Sequence, residues 1–299
     1  MPIRKVCVLG GTGFVGRHLC CELSRRKMAL RVLTRRRERH KELLVIPNLE
    51  IVESDVHSLA DLSVQMKGFD AVVNLIGILN ESTRRGEDFA SVHGALPDKV
   101  AEACRYNRIT RLLHMSSLNA RADAPSKYLK YKAEGENAVH RWAEKGLNVT
   151  SFRPSVLFGP DDSFFNRFAA LLAMSPLVFP LACPDARMAP AYVEEVARAF
   201  ADSLERKDTY GKRYDLCGPE QYTLRELVAY TASTMGLKTR IVPLGDALSR
   251  LQARVLEWVP GKPFSRDNYL SLQVDSVCTE NGFAAFGIHP TSIETVVPS

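Results

Sequence analysis

The sequence predicts an α/β fold with a doubly wound parallel sheet and a smaller, irregular C-terminal region. Short β-rich runs alternate with helical patterns through the first half of the chain, and this alternation is typical of parallel sheets. The run DAVVNLI at 70–76 is almost continuously apolar, as expected for a strand that is covered on both faces. A glycine-rich turn directly follows the first strand and opens the first helix.

The predicted strands and helices follow one another in the order that this fold class requires. Strands are predicted at 5–9, 30–34, 49–53, 70–76, 112–116, 148–152 and 214–216. Helices are predicted at 14–27, 89–106, 128–145, 193–205 and 223–235. Frequent prolines loosen the pattern after Arg153, so we predict a sheet domain over 1–158 with a later contribution from about 187–218. Residues 159–186 and 219–299 are expected to form a smaller region that faces a substrate or partner.

Composition and charge favour a globular protein that neither spans a membrane nor binds a metal ion. Of 299 residues, 45% are apolar and 25% are charged, and the net charge is a modest +6. No run of 18 apolar residues exists, and the seven cysteines lack the spacing of a zinc site. Cys7 and Cys217 lie in apolar runs, where a free thiol behaves as a small hydrophobe. We therefore expect a cytoplasmic protein in a reducing compartment, without a signal peptide.

The turn GGTGFVG at 10–16 predicts a pyrophosphate site. Its glycines let the backbone approach an anion closely, and the following helix presents free N–H groups to the same anion. The motif is weak alone and also fits a purely structural turn, but here it starts a βαβ unit, as dinucleotide binding requires. The sheet domain is therefore predicted to be a Rossmann-type dinucleotide-binding domain. The expected contacts are Gly10, Thr12, Gly13, Phe14, Val15 and Gly16.

The residues after the second strand indicate which dinucleotide is bound. An acidic side chain at this position accepts hydrogen bonds from a ribose 2′-hydroxyl, whereas arginine accommodates a 2′-phosphate. The chain has Thr34, Arg35 and Arg36 here and no carboxylate before Glu38. The sequence therefore favours NADP(H) over NAD(H). The alternative is that most of this basic cluster is simply solvated.

Two further strand ends are expected to meet the cofactor. Asp55 and Val56 follow the third strand, where an adenine ring would lie. Asn74, Ile76 and Gly77 end the fourth strand, along the middle of the cofactor. In an open α/β sheet, ligands bind outside the carboxyl ends of the strands, so these positions predict one continuous binding edge.

Tyr128 and Lys132 stand four positions apart in a predicted helix, so their side chains lie on one face. This spacing fits a proton-transfer pair in which the ammonium assists the phenol, and it also fits an ordinary helix surface. Tyr131 has Gly135 at the same spacing and therefore lacks a lysine partner.

The order of these motifs resembles that of a known family. GGTGFVG, Asp55-Val56, NLIG, HMSS at 114–117, Tyr128-x-x-x-Lys132 and RPS at 153–155 follow one another as in extended or atypical short-chain dehydrogenases/reductases, which are NAD-dependent epimerase/dehydratase-like proteins. KYLKYKAEGENAVHRW, FRPSVLFGPDDSFFNRFA and GIHPTSIETVVPS are similar to the branch that contains the NADPH-binding accessory subunit of respiratory complex I and its bacterial relatives. The resemblance covers nearly the whole chain.

This resemblance implies an oxidoreductase site. Tyr128 would be the general acid/base, and Lys132 would assist it and hold the nicotinamide ribose. The implied catalytic residues are Ser117, Tyr128 and Lys132, and the further cofactor contacts are Ser116, Arg153, Pro154 and Ser155. His93 stands where many members of the family have asparagine, and we expect it to be an ordinary helix residue.

Three functions stay open at this point. The first is an NADP(H)-dependent oxidoreductase acting on a carbonyl, hydroxyl or nucleotide-sugar substrate. The second is an NADPH-binding protein without turnover that supports a respiratory or quinone-related assembly, peripheral at the inner membrane. The third, a nucleic-acid or anionic-surface binder, is disfavoured because the arginine cluster is short and lacks aromatic residues for base stacking. A quinone-like ligand would suit Phe164, Phe165, Phe168, Met174 and Phe179, although their helical spacing favours a core.

Overall fold

The computed structural model describes residues 2–82, 86–259 and 262–297. Its strands are β1 (Lys5–Leu9), β2 (Ala29–Thr34), β3 (Leu49–Glu53), β4 (Ala71–Asn74), β5 (Arg111–Met115), β6 (Asn148–Pro154), β7 (Leu157–Phe158), β8 (Val178–Leu181), β9 (Arg187–Met188), β10 (Ala191–Tyr192), β11 (Arg213–Leu216), β12 (Tyr222–Thr223) and β13 (Arg240–Pro243). Its α-helices are α1 (Phe14–Arg25), α2 (Leu59–Gln65), α3 (Leu96–Tyr106), α4 (Lys127–Arg141), α5 (Phe165–Met174), α6 (Val193–Ser203), α7 (Leu224–Thr234), α8 (Asp246–Leu256), α9 (Arg266–Ser271) and α10 (Ile293–Val296). A π-helical turn, Ala90–Ala95, precedes α3.

Within the described ranges, seven strands form one parallel sheet in the order β3-β2-β1-β4-β5-β6-β11. The strand order reverses between β1 and β4, which is the topological switch point of a doubly wound sheet. The predicted Rossmann-type fold class is therefore confirmed. Strand β11 returns to this sheet from the later part of the chain and pairs with β6. The proposed division into two domains stays a prediction.

The sheet is buried on both faces because its central strands carry apolar side chains on both sides. Val6 and Val8 of β1 point into one core, and Cys7 and Leu9 point into the other. Helices α1 and α6 cover the first face, and α3 covers the second. Each fully buried Val or Leu contributes roughly 1.5–3 kcal/mol relative to an exposed one, so both faces hold the sheet in place.

Six helical segments differ from the prediction, since α2, α5, α8, α9 and α10 were not predicted and the segment 89–106 starts differently. Helix α2 was not predicted, because its seven residues are too few for a clear helical period. The predicted helix 89–106 begins instead with the π-helical turn, which lies against α4. A Cβ on Gly135 would lie 1.9 Å from the His93 carbonyl oxygen, so the close approach of the two segments requires glycine at this position.

The C-terminal region forms its own apolar core and also returns to the core of the sheet. Two-stranded ladders pair β7 with β10, β8 with β13 and β9 with β12, and the surrounding core includes Phe158 and Leu227. Phe286 instead packs with Phe152 of β6, in the core cluster that also contains Val6. None of the helices in the described parts of the chain combines the length and apolar character that a membrane span needs.

Cys217 and Cys278 form a disulfide, so the interpretation of Cys217 as a free thiol is wrong. The two residues are 61 positions apart and meet because the segment that follows Cys278 packs against β11. Asn281 holds this segment in place, since its side-chain amide donates a hydrogen bond to the Cys217 carbonyl oxygen at 2.7 Å. Cys7 is free and buried, as predicted. The disulfide departs from the all-thiol state expected of a reducing compartment.

Candidate functional site

A cavity of about 570 Å³ lies at the carboxyl edge of the sheet. Residues that follow β1, β4 and β5 line one side of it, including Gly10, Gly77 and Ser116. Apolar side chains of the C-terminal region line the other side. The cavity therefore occupies the switch point, where open α/β sheets bind their ligands.

The glycines of the turn at 10–16 serve different purposes. Gly10 has a φ of +78°, and a Cβ there would lie 2.9 Å from the Leu75 carbonyl carbon. A Cβ on Gly16 would lie 2.3 Å from the Gly10 carbonyl oxygen, so these two glycines allow the turn to close. Gly13 is exposed, and a Cβ there would contact only the Gly10 carbonyl oxygen, at 3.3 Å. A side chain at Gly13 would therefore extend into the cavity.

Helix α1 presents an uncapped N-terminus to the cavity. Its N-cap residue, Gly13, makes no side-chain hydrogen bond, and no acidic residue lies in its first turn. Phe14, Val15 and Gly16 line the cavity, so the N–H groups of this turn and the positive end of the helix dipole face the same space. This arrangement fits the pyrophosphate of a dinucleotide.

Ser117, Tyr128 and Lys132 come together on one wall of the cavity. The Ser117 side chain is close enough to Tyr128 to lower the pKa of the phenol, and its hydroxyl donates a hydrogen bond to the Leu118 carbonyl oxygen at 3.3 Å. The Lys132 ammonium donates to the Met115 carbonyl oxygen at 3.0 Å and lies 6.0 Å from the centroid of the Tyr128 ring. The Ser116 hydroxyl is buried and has no hydrogen-bond partner in the described part of the chain, which leaves a polar atom for a ligand in the cavity.

Burial sets the protonation of this pair. It raises the pKa of Tyr128 above its ordinary value, while the nearby Ser117 side chain acts in the opposite direction. Burial also lowers the pKa of Lys132 from 10.5 to about 8, against the attraction of the Glu136 carboxylate. Near neutral pH the phenol therefore carries its proton and the lysine carries its charge, so the phenol is available as a proton donor.

Lys132→Met is expected to stabilise the cofactor-free protein at neutral pH. The folded-state pKa is below the unfolded one, so the charged ammonium opposes folding below pH 8, and this opposition fades as the pH rises from 8 to 10.5. The shift corresponds to about 3 kcal/mol, from which the lost hydrogen bond to Met115 subtracts roughly 1 kcal/mol. Urea unfolding at pH 7 should therefore show a gain of about 2 kcal/mol.

The pH dependence separates charge from packing in this variant. The gain in unfolding free energy should fall to nearly zero at about pH 9.5, where the wild-type lysine is already neutral in the folded state. Lys130→Met is the matched control, because Lys130 is exposed on the same helix and its removal should change stability little. A gain that does not depend on pH would show that packing, and not the buried charge, is responsible.

His93 belongs to the site, although the sequence suggested an ordinary helix residue. Its ring packs edge-on against Tyr128, with centroids 5.3 Å apart, and it lines the cavity. Its Nε2 atom lies 2.9 Å from the Ile78 carbonyl oxygen. Burial, followed by the nearby Lys132 ammonium, lowers the pKa of His93 to about 3, so the ring stays neutral and positions the phenol.

The C-terminal region holds the start of α4. The two carboxylate oxygens of Asp267 accept hydrogen bonds from the backbone N–H groups of Lys127 and Tyr128, at 2.7 and 3.1 Å. The Ser126 hydroxyl caps the same helix by accepting from the Leu129 N–H at 3.2 Å. The placement of Tyr128 therefore depends on a carboxylate 139 positions further along the chain.

The predicted 2′-phosphate residues lie at the end of β2, beside β1. The Thr34 hydroxyl accepts a hydrogen bond from the Arg36 N–H at 3.4 Å. The Arg35 guanidinium pairs with the Glu87 carboxylate, which comes from the segment between β4 and α3. Arg36 is exposed and has no carboxylate partner in the described ranges, so its guanidinium is available to an anion.

Four predicted contacts after β3 and β4 lie outside the cavity. The Asp55 carboxylate accepts a hydrogen bond from the His57 N–H at 2.9 Å, and Val56 is packed in the apolar core. The Asn74 side chain is buried and accepts from the Ile76 N–H at 3.2 Å. These side chains shape the ends of their strands.

Arg153 does not belong to the described residues that line the cavity, whereas Pro154 and Ser155 do. Its guanidinium makes two hydrogen bonds of 3.0 Å to the buried carboxylate of Glu136, so it ties β6 to α4. Thr12 likewise lies outside the lining, beside the turn.

The apolar side of the cavity contains phenylalanines that the sequence assigned to a core. Phe164, Phe168 and Phe179 line the cavity, while Phe165 is buried and Met174 is exposed. Phe165 therefore belongs to the core, and Phe164, Phe168 and Phe179 pack against that core while they also line the cavity. Helical spacing shows that such a face avoids water, but it does not show whether protein or a ligand covers it.

Comparison with protein families and known proteins gives consistent matches. The model of the NAD dependent epimerase/dehydratase family matches residues 6–217. The mitochondrial NADH dehydrogenase (ubiquinone) 1 alpha subcomplex subunit 9 of Rattus norvegicus is 29% identical over 299 residues, covering 96% of this chain and 77% of the relative. The ceramide reductase of Caulobacter vibrioides (strain NA1000 / CB15N) is 30% identical over 244 residues, covering 81% of this chain and 74% of the relative.

Solved structures share the fold at lower identity. The NADPH-dependent quinone oxidoreductase of Escherichia coli, solved with NADPH, has a TM-score of 0.74 at 18% identity, covering 98% of each chain. The enzyme WbmH of Bordetella bronchiseptica, solved with NAD⁺, has a TM-score of 0.73 at 18% identity, covering 99% of this chain and 96% of that chain. The two similar structures therefore contain different dinucleotides on one fold.

Proposed function

Because the chain belongs to the NAD dependent epimerase/dehydratase family of NAD(P)-binding proteins, we propose that it is an NADP(H)-dependent reductase of a carbonyl compound with a large apolar body. The observation that carries this proposal is the open cavity, in which the hydroxyls of Tyr128 and Ser117 stand next to an apolar chamber. Phe164, Phe168 and Phe179 form part of that chamber. A filled space at this place would have favoured a scaffold without turnover. The names of two similar proteins, a ceramide reductase and a quinone oxidoreductase, fit such a substrate.

The residues of the site have distinct roles in this proposal. NADPH, when bound, supplies a hydride to the substrate carbonyl carbon. Tyr128 donates its phenolic proton to the carbonyl oxygen, which Ser117 holds by a hydrogen bond. The Lys132 ammonium stabilises the phenolate that remains and binds the nicotinamide ribose. Neutral His93 keeps the ring of Tyr128 in place.

A substrate panel tests the reaction. NADPH oxidation would be followed with a short-chain quinone, a long-chain ketone and a nucleoside-diphosphate hexose. We expect turnover with at least one of the two apolar carbonyl compounds and none with the sugar nucleotide, whose charged phosphates do not match an apolar chamber. Turnover of the sugar nucleotide alone would contradict the proposed substrate class.

The preference for NADP(H) over NAD(H) is part of the same proposal. The turn at 10–16 would hold the pyrophosphate, and Thr34 with Arg36 would hold the 2′-phosphate. Asp55, Val56, Asn74 and Ile76 would contact the cofactor through backbone or strand-end atoms. Since Arg35 is paired with Glu87, the proposal assigns the main 2′-phosphate contact to Arg36.

Arg36→Ala is expected to weaken NADPH binding by about tenfold or more, because it removes a charge-assisted hydrogen bond of roughly 1.5–3 kcal/mol. The dissociation constant of NADH should change little, since NADH has no 2′-phosphate. Both constants can be measured by fluorescence titration. Arg39→Ala is the control, because this exposed arginine lies further from the end of β2. Equal weakening of NADH and NADPH by Arg36→Ala would contradict a 2′-phosphate contact.

A second candidate function is support of a respiratory or quinone-related assembly, in which the nucleotide stays bound without turnover. The 29% identity to the mitochondrial subunit, over 96% of this chain, favours it. In this case the protein would lie at the cytoplasmic side of the inner membrane with a protein partner. Retention of NADPH without turnover of any carbonyl compound would support this function over the reductase.

A further inference from the structure

Helix α8 exposes an apolar stripe to solvent. Leu248, Leu251 and Val255 follow one another at steps of three and four residues, and Trp258 continues the stripe in the turn after the helix. Leu251 is 56% exposed and Trp258 is 87% exposed. Large apolar side chains in one continuous patch are unusual on a soluble surface and indicate an interaction site.

The end of α5 and the start of β8 extend this patch, which we call the docking surface. The Ser249 hydroxyl accepts from the Cys183 N–H at 3.3 Å, and the Gln252 amide donates to the Pro180 carbonyl oxygen at 3.0 Å. The later residue of α8 thus bonds to the earlier position of the other segment, so α8 is antiparallel to β8. The start of β8 therefore lies beside the end of α8. The docking surface consists of Met174, Leu177, Val178, Leu248, Leu251, Val255 and Trp258.

The docking surface is separated from the cavity by a single layer of chain. On α8, Gln252 and Leu256 line the cavity while their neighbours Leu251 and Val255 face solvent. On β8, Phe179, Pro180 and Leu181 line the cavity, while Val178 directly before them is exposed. An apolar ligand held in the cavity is therefore one helix away from the docking surface.

Basic side chains flank the stripe on the side away from the cavity. At about 100° per residue around the helix, Arg250 and Arg254 lie next to Leu251 and Trp258. Between positions 238 and 266 the chain has six basic and two acidic side chains. Arg250 pairs with Asp246 at 2.8 Å, whereas Arg254 is exposed and has no ion-pair partner in the described part of the chain. The flank therefore offers positive charge to an anionic surface.

We propose that the docking surface binds an anionic lipid bilayer, with α8 lying in the interface between headgroups and acyl chains. A convex apolar stripe that is flanked by arginines and ends in tryptophan matches the composition of interfacial helices. A protein partner would instead be expected to meet a groove or a flat patch with a polar rim. This proposal goes beyond the proposed reductase function, because it concerns where the protein binds and not what it converts.

Sedimentation with lipid vesicles tests this proposal on the full chain. Wild type should sediment with vesicles of phosphatidylglycerol and phosphatidylcholine and remain in solution with phosphatidylcholine alone. Leu251→Glu should reduce the bound fraction at least about tenfold, because it places a carboxylate in the stripe. Val64→Glu is the matched control, because Val64 is 67% exposed on α2, which forms no part of the docking surface.

Trp258 supplies a second, independent readout. The chain contains two tryptophans, so Trp142→Phe leaves Trp258 as the fluorescent reporter. Its emission should shift to shorter wavelength when anionic vesicles are added, as its ring leaves water. Thermal unfolding would confirm that each variant is folded.

Three results would overturn the proposal. The first is a wild-type chain that does not sediment with the anionic vesicles. The second is vesicle binding that is unchanged in Leu251→Glu, which would show that charge acts elsewhere on the protein. The third is a wild-type chain that self-associates and does not bind vesicles. If Leu251→Glu abolishes this self-association, the patch is a contact between copies of the chain.

Discussion

Gly13→Val is expected to weaken NADPH binding by at least about 100-fold, which corresponds to roughly 2.7 kcal/mol. Gly13 has an extended backbone, with φ −80° and ψ 177°, which valine adopts without strain. A Cβ there would contact only the Gly10 carbonyl oxygen, so the two methyl groups would project in front of helix α1. In that space the N–H groups of α1 would otherwise meet the pyrophosphate.

Calorimetric titration gives the dissociation constant of NADPH, and urea unfolding should show a stability change of less than about 1 kcal/mol. Gly245→Val is the matched control, since Gly245 is the N-cap of α8, is also extended, and has no atom within 4 Å of its Cβ position. Gly16→Val would be less informative, because its Cβ would collide with the turn itself. Unchanged NADPH binding in Gly13→Val would show that the dinucleotide does not bind at the glycine turn.

The central sheet could be predicted because each of its strands carries a local signal. The strands at 5–9 and 49–53 have the predicted bounds, and the glycine turn marks the connection from β1 to α1. Elements such as α2 and the two-residue strands of the C-terminal region could not be predicted in this way. Helix α2 spans only about two helical turns and these strands only one alternation, so neither repeats often enough to be recognised, and tertiary contacts decide where they form.

The site was predictable where its residues share one element. The spacing of Tyr128 and Lys132 on α4 places both side chains on one face, and the structure brings both to the cavity. His93 and Asp267 could not be found by spacing, since each reaches α4 from a distant part of the chain. The one available signal for His93 was its occurrence at a position where the resembling family often has asparagine.

Apolar periodicity was the least specific signal. In α5 it described a helix that lines a cavity, and in α8 it describes a stripe that faces solvent. The pattern records that a face prefers an apolar environment, and only the tertiary structure shows what that environment is. The pairing of Cys217 with Cys278 also depends on the tertiary structure, so the spacing of the two residues did not reveal it.

Tyr128→Phe is expected to lower kcat by about 10²–10⁴-fold, the usual contribution of a positioned general acid. Phenylalanine keeps the ring, and with it the edge-on contact to His93, while the proton that would go to the substrate oxygen is lost. NADPH binding should stay within about threefold of wild type, because the cofactor keeps Lys132 and the glycine turn. Steady-state turnover and calorimetric titration of the same preparation check both expectations.

Tyr131→Phe is the matched control, because Tyr131 lies on the same helix but packs beside Gly94 and is absent from the described lining of the cavity. Full turnover in Tyr128→Phe would show that the phenol is not the proton donor.

The pair of variants at Tyr128 and Gly13 also separates the two proposed functions. A cellular role that survives Tyr128→Phe but fails in Gly13→Val requires the bound nucleotide and not the proton, as expected of an accessory protein. A role that fails in both requires the chemistry of the Tyr128 phenol.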